Sequence, residues 1–454
     1  MKSRNTVIWL LILIALGGFV YYYEVIAGKK REAAKDSAEK IYTLPADQVE
    51  SVRIENNGIV IRCIKDNSGK WTITEPLQLA ADGATVLDVI ATVLDTKIQR
   101  VLEEKAKDLT GYGLKEKPLR VTLTIAKKDY SLLLGDLNPT QAFVYCKRDS
   151  DDQVFMLFTN IRQHLDKELY DLRDKRVLHA QKHQIKALDI KSAQENIVLT
   201  HQLENDQWRI IQPLEVLADN KEINNFIDLL NAVPVKRFVA EEAGDLVQYG
   251  LDQPQMVIDI TLSDDKTHQV LLLGKKVDAE GGAEILAKIQ DKHNIFTLPA
   301  EIETHLFKKA NDFRNKNLAT FSTDDLSGLE LISPNQTIIL ARKKVTYSYE
   351  WEMLKPEKAK AKDTVIYDVL NILLQTQVKE FIDQPEAKTD YGFAQPVLKI
   401  NVLFNGKAQS NLALTFGAKK TTNDLIYVRV NDKIVAIDVA VLKPVNKKPA
   451  DFKL

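Results

Sequence analysis

The chain has 454 residues, enough for two to four domains that each bury a core, and its 62 basic and 63 acidic residues cancel. That balance excludes the cationic surface of a nucleic-acid binder or a membrane-coating polycation, and it implies no polyanionic partner. Its two cysteines, Cys63 and Cys146, lie in apolar strand-like stretches without counterparts elsewhere, a pattern of two buried thiols rather than a disulfide framework.

The start of the chain carries a localisation signal. After a short basic leader, residues 7–23 form an uncharged run that opens on Val7 and closes on Tyr21, Tyr22 and Tyr23. As a helix this run is about 26 Å long, close to a hydrocarbon core of about 30 Å, and the tyrosines suit the interface. Residues 1–27 are therefore expected to be a cytoplasmic leader and transmembrane anchor, with the lipid bilayer met through Val7 to Tyr23. A cleaved signal peptide ending at Val25-Ile26-Ala27 is the competing expectation; bulky tyrosines before that site and the length of the run favour the anchor. Lys2 and Arg4 precede the run and Lys29, Lys30 and Arg31 follow it, and a leader so short is expected to stay inside, placing the rest of the chain outside the cytoplasm. Residues 28–45 are a polar stalk.

From there the chain states one pattern three times, over residues 46–178, 183–318 and 323–454. Each copy opens with a three-stranded meander. In the first, residues 49–55 and 59–65 alternate around Asn56-Asn57-Gly58, and a second turn leads into the strand carrying Trp71, which Pro76 ends because proline cannot donate to a ladder. Trp208 with Pro213 and Trp351 with Pro356 repeat this spacing, so three of the four tryptophans in the chain stand here. A helix follows. Val86, Val89, Ile90 and Val93 in the first copy, Ile223, Phe226, Ile227 and Leu230 in the second, and Ile366, Val369, Leu370 and Leu373 in the third build one apolar stripe. Asp82, Asp219 and Asp363 sit where an N-cap belongs, and Glu222 is placed to complete a capping box with Asp219. A role as ligands or bases is the sharper reading of these aspartates, and their position before a helix argues for capping.

Beyond each helix come an apolar pair (Val101-Leu102, Phe238-Val239, Phe381-Ile382) and a charged loop, read as a solvated face at Glu103-Glu104 and Glu241-Glu242. A turn follows at Tyr112-Gly113, Tyr249-Gly250 and Tyr391-Gly392, 41, 41 and 40 residues after the respective tryptophans. Further strands end in Gly135, Gly274 and Gly417, two more strands complete each copy, and a tag closes it: Asp171-Leu172-Arg173, Asp312-Phe313-Arg314 and Asp451-Phe452-Lys453. The linkers, near residues 178–183 and 318–323, are short enough for neighbouring repeats to touch. The expected fold class is α+β: an N-terminal transmembrane helix followed by three tandem repeats, each a mostly antiparallel sheet of about seven strands with one or two helices.

The search for chemistry finds little. Of seven histidines only His179 and His183 have helical i, i+4 spacing, in a linker and without a carboxylate or Cys pattern to complete a metal site. No phosphate-cradling glycine loop, dinucleotide fingerprint, nucleophile elbow or paired Cys-x-x-Cys occurs. No catalytic residue, metal ligand or cofactor is assigned. The tryptophans read as core rather than as platforms for glycan or peptide, and the recurrence of Tyr with Trp suggests that the two meet in space.

The membrane-span-like start followed by Trp-x4-Pro, Tyr-Gly-Leu-x2-Pro, Leu-Leu-Gly and an Asp-Leu-Arg-like tag resembles the bacterial family known as domain of unknown function 4340, over residues 46–454. The third copy departs most, with Phe393 for Leu and Lys453 ending its tag. The resemblance implies gene neighbours among ABC transporter components of the gliding-motility auxiliary type, hence a protein of the bacterial inner membrane with periplasmic repeats. The expected function is a non-enzymatic, membrane-anchored extracytoplasmic scaffold with a long interaction surface, accessory to an ABC-type transport complex whose subunits are its partners. A periplasmic glycan- or peptide-binding protein and an enzyme of unrecognised type are the alternatives.

Overall fold

The structure is a computed structural model describing residues 16, 21, 39–345, 348–405 and 411–454. Three nine-stranded antiparallel sheets account for most of it, all with the same strand order. In the first repeat the strands are β1 (Ser51–Asn56), β2 (Ile59–Lys65), β3 (Trp71–Glu75), β4 (Leu79–Ala80), β5 (Arg100–Glu103), β6 (Leu119–Ile125), β7 (Lys128–Leu137), β8 (Phe143–Arg148) and β9 (Val154–Phe158), and they run β4-β3-β2-β1-β6-β7-β8-β9-β5 across the sheet. The chain falls into two compact units, Met1–Gln184 with Ile227–Phe307 and Ile185–Phe226 with Lys308–Leu454. The first repeat lies wholly in the first unit and the third wholly in the second.

One long helix crosses each repeat: α1 (Gly83–Asp95), α2 (Asn220–Ala232) and α3 (Asp363–Gln375). The Asp82 side chain accepts hydrogen bonds from the backbone N–H of Ala84 and Thr85, and Asp219 accepts from those of Lys221 and Glu222, so both are N-caps. The third helix departs from the expected pattern, because Asp363 is already helical and Lys362 takes the cap position without a side-chain bond. Glu222 completes no capping box; its carboxylate pairs with Lys308 at 2.8 Å. The apolar stripe of α1 packs with alternate residues of the sheet into one core that contains Trp71, Ile73, Val121, Leu132 and Leu134. Trp71, Trp208 and Trp351 are 4, 2 and 1% exposed. Cys63 and Cys146 are free thiols in that first core, and burial pushes the Cys63 thiol up to about 12.

The expected α+β class is corrected: the repeats are mostly β, with nine strands rather than about seven. The additional strands are the edge strands, two residues in β4 and four in β5, too short for a period-2 pattern to register. The expected transmembrane helix falls outside the described residues. Among the described residues no helix is long and apolar enough to cross a membrane, and residues 7–23 lie, apart from 16 and 21, outside them. The expected meeting of Trp and Tyr is corrected too. Trp71 is under the helix, whereas Tyr112 packs in a separate cluster with Leu114, Leu133 and Val154 on the opposite face of the sheet. Tyr249 lies likewise with Leu251, Leu286 and Ile295.

The two glycine motifs explain one another. Gly113, Gly250 and Gly392 take left-handed φ values of 64°, 65° and 74°. The carbonyl of the preceding tyrosine then presses on the second glycine of the repeat. A Cβ on Gly135, Gly274 or Gly417 would stand 2.0, 2.3 or 2.0 Å from the carbonyl oxygen of Tyr112, Tyr249 or Tyr391. These glycines do not end their strands, as the sequence suggested. Each sits at a register shift within a longer strand, between Leu134 and Leu137, Leu273 and Lys276, and Phe416 and Lys419. Pro76, Pro213 and Pro356 all follow cis peptide bonds. Gly274→Ala is expected to cost about 1–3 kcal/mol through forced backbone displacement. Gly244→Ala, with nothing within 4 Å of its added Cβ, is expected to stay within about 0.5 kcal/mol. Denaturant unfolding of the two variants beside the parent checks the difference.

Candidate functional site at the repeat junctions

Each tag is built into its own repeat before it reaches the next. The carboxylates of Asp171, Asp312 and Asp451 accept from the backbone N–H of Glu168, Lys309 and Lys448 at 2.9, 2.8 and 2.8 Å. The middle residues, Leu172, Phe313 and Phe452, are buried, and their carbonyls accept from the N–H of Asp82, Asp219 and Lys362, closing the end of the repeat onto the start of its helix. The third residues, Arg173, Arg314 and Lys453, bridge Ala81, Ala218 and Ala361. The next N–H, of Asp174 or Asn315, donates to the carbonyl of Ala80 or Leu217 and covers the short edge strand there.

Beyond this point the arginines clamp the following repeat. In the first unit the Arg173 guanidinium lies over the Phe238 ring at 3.3 Å and donates to Glu241 at 2.5 Å. In the second, Arg314 lies over Phe381 at 3.6 Å and donates through both Nη atoms to Asp383 at 2.7 and 2.9 Å. Both side chains are almost fully buried, where a planar cation stacked on a ring and paired with a carboxylate keeps its charge satisfied. Backbone pairing runs alongside: the N–H of Val235 donates to the Lys175 carbonyl and that of Val378 to the Lys316 carbonyl. In the first repeat the N–H of Ile98 donates to the Glu39 carbonyl and that of Ile41 to the Thr96 carbonyl, so residues 39–42 occupy the place that a preceding repeat's end takes elsewhere.

A cleft opens beside each clamp. The first has a volume of about 600 Å³, with Lys70, Asp174, Arg176, His179, Phe238 and Lys292 among its lining. The second, of about 160 Å³, is lined at matching positions by Asn315, Asn317, Thr320 and Phe381, and also by Lys433. In the first, the Asp174 side chain accepts from Arg176 at 3.0 and 2.7 Å and pairs with His179 at 3.0 Å. Burial opposes the ionised form, and the bonds from His179 and Arg176 outweigh it, holding the carboxyl well below the usual carboxylate range. His179 is thus committed to Asp174, and no group of three or more His, Cys, Asp or Glu that could hold a metal occurs among the described residues.

None of the fifteen repeat-signature residues lines either cleft. Trp71, Trp208 and Trp351 are in cores; Tyr112-Gly113, Tyr249-Gly250 and Tyr391-Gly392 meet Gly135, Gly274 and Gly417; Pro76, Pro213 and Pro356 follow the tryptophan strands. Sequence reasoning missed the clamp although its parts were visible as the tag arginine, the phenylalanine after the helix and an acid two or three residues on. Glu241, read as a solvated face, is the acceptor of Arg173.

The family model described as domain of unknown function (DUF4340) matches residues 71–207 and 208–396. No curated protein matches. Among solved structures, the DNA polymerase III subunit beta from Pseudomonas aeruginosa is 10% identical over 89% of this chain and 95% of that one, with a TM-score of 0.13. The DNA polymerase sliding clamp from Pseudomonas aeruginosa with ligand is 10% identical over 89% and 94%, with a TM-score of 0.14. Scores this low carry no argument about fold or function.

Arg314→Ala is expected to destabilise the second unit by about 2–3 kcal/mol, and Arg314→Lys to recover less than half, because an ammonium cannot make the fork to Asp383; limited proteolysis and denaturant unfolding check both. Asp174→Asn is expected to lower the unfolding midpoint at pH 7. A carboxyl whose folded pKa is depressed contributes stability above its unfolded pKa and loses that contribution as pH falls through the folded value. The gap between parent and variant should therefore close on acidification, which melting curves from pH 7 downward will show.

Proposed function

The chain belongs to the DUF4340 family, and we propose that it is a non-enzymatic, membrane-anchored extracytoplasmic scaffold accessory to an ABC-type transport complex. The observation that carries this reading is the clamp. The most distinctive buried charges, Arg173 and Arg314, are used to join consecutive repeats rather than to meet a substrate. Within each unit, backbone pairing, a stacked cation and an ion pair hold the joined segments together, which suits a surface for protein partners. The apolar, uncharged composition of residues 7–23 supports attachment to a membrane, and the family resemblance implies gene neighbours among ABC transporter components. The glycan- or peptide-binding alternative has no tryptophan platform to rest on, since all three repeat tryptophans are buried.

Cross-linking of the full-length protein in native membranes, followed by purification and identification of the joined proteins, tests the proposal. Recovery of ABC transporter subunits is expected. A protein recovered without any membrane partner even at high cross-linker concentration would overturn it.

A further inference from the structure

The two junction clefts are copies of one scaffold, so their shared residues report on joining and their differences report on use. Shared are the clamp arginine, the phenylalanine beneath it, and Val235 with its counterpart Val378. The first cleft alone has Asp174, Arg176 and His179, where the second has Asn315, Asn317 and Thr320. A longer hairpin loop before Ile295 adds Asp291, Lys292 and Asn294 to its lining; the buried Lys288 ammonium holds this loop by donating to the carbonyls of Ile289, Gln290 and Lys292. The third repeat makes the same connection with a tight turn and Arg429 in place of the lysine.

These differences open the first cleft to about 600 Å³ against about 160 Å³. A cleft of this size falls within the range of small-molecule sites. Charge then selects the ligand. Arg173 is neutralised by Glu241, and the Asp174 carboxylate is occupied by Arg176 and His179. Lys70 and Lys292 are both exposed and make no ion pair among the described residues; Asp66 lies within electrostatic reach of Lys70, and Asp291 is the remaining acid of the lining. The apolar surface between these groups comes from the half-buried Leu79 and Ile289, backed by the buried Val177, Val235 and Phe296. A cleft with low-dielectric walls and excess positive charge concentrates anions.

We propose that the first junction cleft binds a small amphiphilic anion, with a carboxylate or phosphate head on Lys70 and Lys292 and an apolar body against Leu79 and Ile289. The test is calorimetric titration of the full-length chain in nonionic detergent with hexyl phosphate and with hexanoate, hexanol serving as the uncharged control. Saturable binding of at least one anion is expected, weaker at high salt and absent for hexanol. The double variant Lys70→Gln, Lys292→Gln should bind it at least about tenfold more weakly, the loss of charged hydrogen bonds. Lys433→Gln, at the second cleft, should bind as the parent does. These substitutions are at exposed or half-buried surface lysines and leave both clamps intact. Displacement of bound hexyl phosphate by phosphatidylglycerol micelles would identify a lipid as the source of the head group, and failure to displace would identify a soluble anion. No saturable heat with either anion, or equal affinity in parent and double variant, would overturn the proposal.

Discussion

The closure of each repeat by its own tag is the constraint on which the architecture depends. An open antiparallel sheet has two edges, each a row of unpaired backbone groups ready to pair with whatever arrives. Here one segment deals with both. The residue after the tag covers the short edge strand of its own repeat, as Asp174 does at Ala80, and the next residue pairs with the chain entering the opposite edge of the following sheet, as Lys175 does with Val235. Between these two backbone contacts the tag arginine leaves its own repeat and lies on the next one's phenylalanine. Joining and edge protection are therefore the same event, and no repeat can exchange its neighbour without exposing an edge.

The energetics of the clamp follow from its burial. A guanidinium taken out of water keeps a favourable environment only when its donors and its faces are both used. Arg173 and Arg314 use the faces on an aromatic ring and the donors on a carboxylate that itself remains partly hydrated. The last tag has Lys453 instead, whose ammonium turns back to Glu357 of the same repeat. The first repeat has Val101 where the others have phenylalanine. Aromatic ring and arginine thus occur together at the two junctions between consecutive repeats.

Repetition made much of the fold legible. The helix stripe of Val86, Val89, Ile90 and Val93 and the caps Asp82 and Asp219 could be placed because helical periodicity and capping are local rules. The edge strands could not, since a two-residue strand at Leu79–Ala80 has no period and exists only through its neighbours. Gly135 was visible as a signature but not as a bulge pressed by Tyr112, because that contact joins two motifs more than twenty residues apart through backbone alone. The junction was harder still. Arg173, Phe238 and Glu241 were each noticed in the sequence and assigned separately, as tag, apolar pair and solvated face, and only tertiary structure brings them within bonding distance. The first cleft is defined by residues that differ between the copies, so no shared motif marks it.

Residues 39–42 give the first repeat a mechanical property that the others do not have. Ile41, 1% exposed, and the two backbone bonds linking Glu39 and Ile41 to Ile98 and Thr96 lie in series between anything that tugs on the preceding chain and the sheet itself. Tension arriving from that side meets a short antiparallel pair, the seated Ile41 and the buried Tyr42, whose hydroxyl donates to the Ser131 carbonyl, before it meets the long ladders of the core.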